Sequence, residues 1–265
     1  MGTVKKPGVW EKEYRAVWRR EEKFLRRYEE PGESALRRKI EEYAPEKLVE
    51  TLHAAFVKAF GLVFEKGTGA IAGVSRLENR QQTFQVNAYA AKLREDRKTL
   101  RAFSREAAKV GRGNVLISGA AGVGMGLFGV ALPDIPLFTA MLLKTMYETA
   151  ESFGFDHSNQ SERMYILQLL EAALSNGEEL RRKNMALDVF AQTGAWPEAT
   201  DLKTQMEATA RKLSEALLYG KAVQNIPLVG AVGGAADGVL MDRVRRYAAI
   251  KYEKRFLLRW RLEQD

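Results

Sequence analysis

Residues 113–132 read GNVLISGAAGVGMGLFGVAL and run straight into Pro133-Asp134-Ile135-Pro136. These twenty residues carry no charge, and a run of that length is just enough to cross a bilayer as a helix. Glycines at 119, 122, 124, 126 and 129 argue against an isolated helix in water, where each costs about 1 kcal/mol relative to Ala. Glycine makes sense where a second backbone must come close, and Gly122 and Gly126 have the small-xxx-small spacing of tightly packed helix pairs. The stretch is therefore read as a helical segment packed against another, with Gly119 on the same run and Pro133 and Pro136 closing it.

A second apolar stretch, residues 222–240 (AVQNIPLVGAVGGAADGVL), echoes the first. Ile135-Pro136-Leu137-Phe138 resembles Ile226-Pro227-Leu228-Val229, although the glycines (Gly230, Gly233, Gly234) follow the proline here and precede it there. Packing of the two stretches against each other inside the protein is preferred to a membrane span. Gly-rich helices make poor lipid-facing surfaces, and Asp134 and Asp237 would be costly at a bilayer centre.

Working outward, the rest of the chain reads at helical period, broken by Gly, Pro or Asn-Gly, with no strand-period segment. Helices are expected over 9–30, 34–43, 45–66, 77–110, 137–153, up to 176, 178–192, 198–219 and 241–261. Pro45 suits a first helical position, where its missing N–H costs nothing. Asp156, Ser158 and Ser161 are candidate caps for the helix ending at Asn176-Gly177, and Trp196-Pro197 is expected to open the helix over 198–219. The fold class is thus all-α, a multi-helix bundle with two Gly-rich apolar segments in the core or at the membrane. The division expected is an N-terminal helical region, 1–66, and a helical domain, 67–265, or one continuous domain over 9–262.

The first helix places Trp10, Tyr14, Val17, Trp18, Phe24, Leu25 and Tyr28 largely on one side among Arg and Glu. Such a stripe is either a docking face for the rest of the fold or an interfacial helix with aromatics at head-group level. Residues 1–18 have no apolar run of the secretory-signal kind. There are no cysteines, which removes disulfides, thiolate chemistry and sulfur-ligated zinc. The mean hydropathy of −0.31 is that of a soluble protein.

The net charge is +8, and its placement is uneven. Residues 92–112 hold eight basic and three acidic residues, and 241–265 hold eight and four. Residues 133–220, between them, hold eight basic and thirteen acidic. Positive stretches flanking apolar ones attract anionic lipid, at roughly 1 kcal/mol per Lys or Arg near the surface. The candidate lipid-binding residues are Arg94, Arg97, Lys98, Arg101 and Arg105 in the first stretch, and Arg245, Arg246, Lys254 and Arg255 in the second.

Three blocks of the sequence together resemble the EcsC family. They are the Gly-rich run into Leu132-Pro133-Asp134-Ile135-Pro136, the helix ending Tyr147-Glu148-Thr149-Ala150-Glu151-Ser152-Phe153-Gly154-Phe155-Asp156, and 221–232 with the polar helix after it through Arg243, Tyr247 and Arg255. The resemblance covers roughly 111–259. It implies a bacterial, cytoplasmic, mostly helical protein at the inner face of the cell membrane. The family's name-giving member is encoded beside an ABC transporter linked to protein secretion, so an accessory role with a membrane partner is implied, and no catalytic residue is.

No residue pattern supplies chemistry beyond that. Gly124–Gly129 (GMGLFG) fits GxGxxG, but no strand precedes it and no ordinary helix follows, as dinucleotide binding requires. Ser118 is not in a nucleophile elbow. His53 and His157 stand far apart, and neither has a carboxylate at ligand spacing. No cofactor and no metal is expected. Asp134 and Asp237 are the carboxylates of interest, each in or beside an apolar run, where a charge needs a partner. Asp134 and Asp237, with Lys221 or Arg243, are the candidate polar site; for Asp134 a cap on the helix after it is the favoured reading. The leading expectation is a non-enzymatic, membrane-associated accessory protein. The alternatives are an enzyme with a pocket around Asp134 and Asp237, and nucleic-acid binding by the basic helices, against which interleaved acids count.

Overall fold

The computed structural model describes residues 8–29, 38, 46–66, 97–109, 135–223 and 234–262. Among them are eight helices and no strand: α1 (Val9–Arg27), α2 (Glu46–Lys66), α3 (Arg97–Lys109), α4 (Ile135–Ser152), α5 (Gln160–Leu174), α6 (Gly177–Thr193), α7 (Leu202–Val223) and α8 (Gly234–Leu262). The protein is all-α. The stretch 113–132, with Gly119, Gly122, Gly126, and the residues Pro133 and Asp134, lies outside the described residues, as do Pro227, Gly230 and Gly233 and, residue 38 apart, the helix expected over 34–43. Pro136 occupies the second position of α4 and is exposed. No described helix is long and apolar enough to cross a membrane.

The centre of the bundle is α8. It is 29 residues long and packs against α1, α3, α4, α5, α6 and α7. It begins at Gly234, so the end of the second apolar stretch is the first turns of this helix. The sequence suggests an exposed, polar, basic helix here, and the structure corrects that. Residues on every side of α8 are buried, apolar ones such as Val244, Tyr252 and Leu257 alongside Arg245, Lys251, Glu253 and Lys254. A helix with no exposed stripe sits inside a bundle, and its charges must then be met by carboxylates from its neighbours.

A single buried cluster joins Val17 and Phe24 of α1, Phe56 and Phe60 of α2, Leu142 and Met146 of α4, Leu167 and Leu170 of α5, and Tyr247 and Leu257 of α8. Fully burying one such side chain stabilises the fold by roughly 1.5–3 kcal/mol.

The connections follow local chemistry. After α4, Gly154 takes φ 77°, and the Phe155 N–H reaches back to the Ala150 carbonyl at 3.0 Å, a helix stop that favours glycine. The cap of α5 is Asn159, whose side chain accepts the Ser161 N–H, rather than Asp156, Ser158 or Ser161. Asp156 instead accepts the Ser158 N–H at 2.8 Å and closes the turn before it. Trp196-Pro197 does not open a helix. Trp196 stacks on Phe190 at 4.3 Å, the loop continues to Asp201, and the Asp201 carboxylate accepts the Thr204 N–H to start α7.

Candidate functional site

The first helix turns two of its four carboxylates inward. Glu13 and Glu21 are buried. Glu13 accepts from Arg101 of α3 at 3.0 Å. Glu21 accepts from Lys251 at 2.8 Å and from Lys254, both of α8. The cations of α1 face outward: Arg15, Arg19, Lys23, Arg26 and Arg27 are exposed. Glu11 and Glu22 remain on that side and pair with Arg15 and Arg26 one turn away. Trp18, an aromatic with no place in the core, is 53% exposed beside them. The inner aromatics behave differently: Phe24 stacks on Tyr247 at 4.8 Å, and the Trp10 indole donates to the Leu257 carbonyl. So the aromatic stripe serves as a docking face, and Trp18 alone of its large residues stands on the basic outer side.

Between this helix, α6 and α8 lies a buried charge square. Lys251 and Lys254 both donate to Glu21 and to Asp188 of α6. The Lys251 ammonium also reaches Asn184, which accepts from the Tyr247 hydroxyl at 2.7 Å. Burial would lower the Lys254 ammonium, but Glu21 and Asp188 outweigh it and raise it above the ordinary lysine value. Arg20 adds an ion pair to Glu253 at 2.8 Å on the rim.

Two further polar features lie away from α1. A cleft of about 500 Å³ opens between α5, α6, α7 and the Trp196 loop. On its floor Glu171 pairs with Lys183 at 2.7 Å and accepts from Gln205, which in turn accepts from Gln168. At the α4–α5 turn, Glu151, Asp156 and His157 each bring a potential ligand atom within 4.8 Å of the other two. His157 Nδ1 lies 2.8 Å from Glu151 Oε1, and its ring stacks on Tyr147 at 4.4 Å. This corrects the expectation that His157 has no carboxylate partner. Their spacing of six residues fits no helical repeat, and the turn at Gly154 makes it work. His53 is a boundary residue, its Nε2 3.1 Å from the Glu207 carbonyl.

The EcsC protein family model matches residues 11–257 of this chain, almost the whole of the fold just described. The chain belongs to the EcsC protein family. Within it, Protein EcsC of Bacillus subtilis (strain 168) is 26% identical over 144 residues, which is 53% of this chain and 58% of that protein. The alignment therefore spans little more than half of that relative's length. No solved structure matches. The family match reaches back through α2 and most of α1, well beyond the region 111–259 where the sequence blocks carry the resemblance.

In this EcsC-family chain the residues singled out from sequence scatter. Arg94 lies outside the described residues; Arg97, Lys98 and Lys221 are placed only as helical backbone in α3 and α7, and Asp237 likewise in α8. Arg243 is the one member of the candidate polar site whose side chain is described. It donates to the Ser175 carbonyl and to Asn176, and its guanidinium lies 3.8 Å over the Tyr28 ring. Burial pulls it down to about 10, so it stays charged at neutral pH.

Arg105 and Arg246 are exposed, and Arg101 is half-exposed in its pair with Glu13. Arg245, Lys254 and Arg255, expected on a lipid-facing surface, are interior groups. Arg245 is buried, bonded to Asp242 and to the Ala108 carbonyl. Lys254 belongs to the charge square. Arg255 holds Glu162 at 2.7 Å with its guanidinium over Phe155 and Tyr165. Cations neutralised inside the protein are withdrawn from lipid and nucleic-acid phosphates alike. The exposed cations of α1, Arg15, Arg19 and Lys23, are not among the candidate lipid-binding residues read from the sequence.

Proposed function

We propose that this EcsC-family chain is a non-enzymatic accessory protein that works at the inner face of the cell membrane, bound peripherally through anionic lipid, and serves a membrane partner such as an ABC transporter. The observation that carries this reading is the outer surface of α1, where Trp18 is 53% exposed on a helix whose Arg15, Arg19 and Lys23 are exposed as well. Basic residues gather anionic head groups, and an exposed indole prefers the head-group region. A helix already docked by its inner face can use its outer face in this way without unfolding.

Flotation of the full chain with liposomes, neutral against anionic and at low and high salt, tests it. Salt-sensitive flotation with anionic vesicles alone, lost on R19E/K23E, is the expected result. A chain that stays in the bottom fraction under every condition overturns the membrane assignment. Flotation unaffected by R19E/K23E moves the contact away from α1.

A further inference from the structure

The turn between α4 and α5 assembles Glu151, Asp156 and His157 away from the α1 surface. We propose that these three side chains bind one first-row divalent cation, with Zn²⁺ the best fit, through a carboxylate oxygen of Glu151, Nδ1 of His157 and a carboxylate oxygen of Asp156.

Four observations support the site. The first is separation: all three ligand atoms lie within 4.8 Å of one another. Glu151 Oε1 and His157 Nδ1 are already 2.8 Å apart. Two ligands at about 2.1 Å from a common tetrahedral ion stand about 3.4 Å apart, so binding opens this pair by roughly half an ångström. A small swing of the exposed Asp156 side chain closes the third side.

The second is order. Glu151 is only 4% exposed at its side chain and His157 17%. The imidazole is clamped between that carboxylate and the Tyr147 ring, so two ligands are held by packing before an ion arrives.

The third is charge. Two carboxylates face one imidazole here, with Arg163 acting on Asp156 from α5. A divalent cation bound by the deprotonated groups compensates the buried Glu151 carboxylate.

The fourth is the backbone. Gly154 has φ 77°, and Arg259 of α8 donates to the Gly154 carbonyl at 3.1 Å and to the Phe153 carbonyl. The turn that sets the spacing is therefore tied to the central helix.

The donor set selects the ion. One imidazole with two carboxylates suits Zn²⁺, with Mn²⁺ weaker, whereas Ca²⁺ and Mg²⁺ want oxygen alone. Three protein ligands with Asp156 at the surface leave the remaining position open to water.

The test is titration calorimetry of the full chain, stripped with EDTA and dialysed, with Zn²⁺, Mn²⁺ and Mg²⁺. One Zn²⁺ per chain, tighter than Mn²⁺ and with no response to Mg²⁺, is expected. D156N preserves the bond to the Ser158 N–H and E151Q preserves the contact to His157, so both are expected to fold, with far-ultraviolet circular dichroism as the check. Each should weaken Zn²⁺ by at least about tenfold. D201N, which alters another exposed aspartate that accepts a backbone N–H, should leave binding unchanged. Absence of stoichiometric Zn²⁺ binding, or binding that survives D156N and E151Q in folded protein, overturns the site. A response to Mg²⁺ equal to that to Zn²⁺ overturns the ligand set.

Discussion

Glu21 of α1 and Lys251 of α8 stand 2.8 Å apart with 4% and 1% of their side chains exposed. Such a pair adds little over a well-packed apolar pair, yet breaking it by removing one partner is costly. Replacing Glu21 with Ala leaves two buried ammoniums facing Asp188 alone. Urea unfolding followed by circular dichroism should show a loss of about 3–5 kcal/mol. E21M/K251M removes one charge of each sign and should recover most of that loss. A double variant no more stable than E21A would show that the site needs its charges.

Arg255 offers a second case. Its guanidinium meets Glu162 and lies against three rings, Phe155, Tyr165 and Phe190, while the Tyr252 hydroxyl donates to the same carboxylate. A single guanidinium nitrogen reaches both Glu162 oxygens, so what lysine cannot reproduce is the flat contact with the rings. R255K is expected to destabilise by about 1–2 kcal/mol and R255M by about 3 kcal/mol or more, because Glu162 is then buried against a hydroxyl alone. Equal midpoints for R255K and the parent chain would remove the stacking argument.

Gly177 links the start of α6 to the end of α1. It has φ 55°, donates its N–H to the Tyr28 carbonyl at 2.9 Å, and would bring an added Cβ to 3.2 Å from the Glu29 carbonyl. G177A therefore combines a left-handed penalty with a close backbone contact, about 1–2 kcal/mol in all. Thermal unfolding measures it. Gly194 also has positive φ but open space around it, so G194A should lose less.

The pH response has two limbs. Lys254 is raised above the ordinary lysine value, so its contribution is fully present below about pH 10.4 and is lost as pH climbs through the folded value. Asp242 runs the other way. Burial pushes its carboxyl up, but bonds from Arg245 and Arg246 outweigh this and hold it below the usual range. Its contribution is present above about pH 3.9 and fades as pH falls through the folded value. K254M should flatten the alkaline limb of a melting-temperature profile, and D242N should flatten the acid limb. If either variant changes both limbs equally, other groups dominate.

The helices were legible because their breaks carry their own chemistry. The helix expected over 45–66 is found over Glu46–Lys66, and that expected over 178–192 over Gly177–Thr193. Errors arose where two local signals competed. Pro197 announces a helix start, but Trp196 gains more by stacking on Phe190, and Asp201 makes the real cap. The charged interior was not legible. Lys254 looks like any surface lysine until Glu21 and Asp188 are placed beside it, and hydropathy scores the residue without its partner. Glu151 and His157 stayed apart on paper for a similar reason, since only the bend at Gly154 folds a six-residue spacing into a hydrogen bond.

The link between Glu21 and Lys254 spans 233 positions, and this matters during translation. At roughly 5–20 residues per second, α1 leaves the ribosome some 10–50 seconds before α8 can receive it. Through that interval a nascent helix displays Val17, Phe24 and an unanswered Glu21, a surface for chaperones or for the bilayer itself. Arrival of α8 ends the exposure by supplying, in one helix, both the lysines and the apolar wall. A chain interrupted before that point has Glu21 without its lysines and Val17 and Phe24 without the wall that α8 supplies.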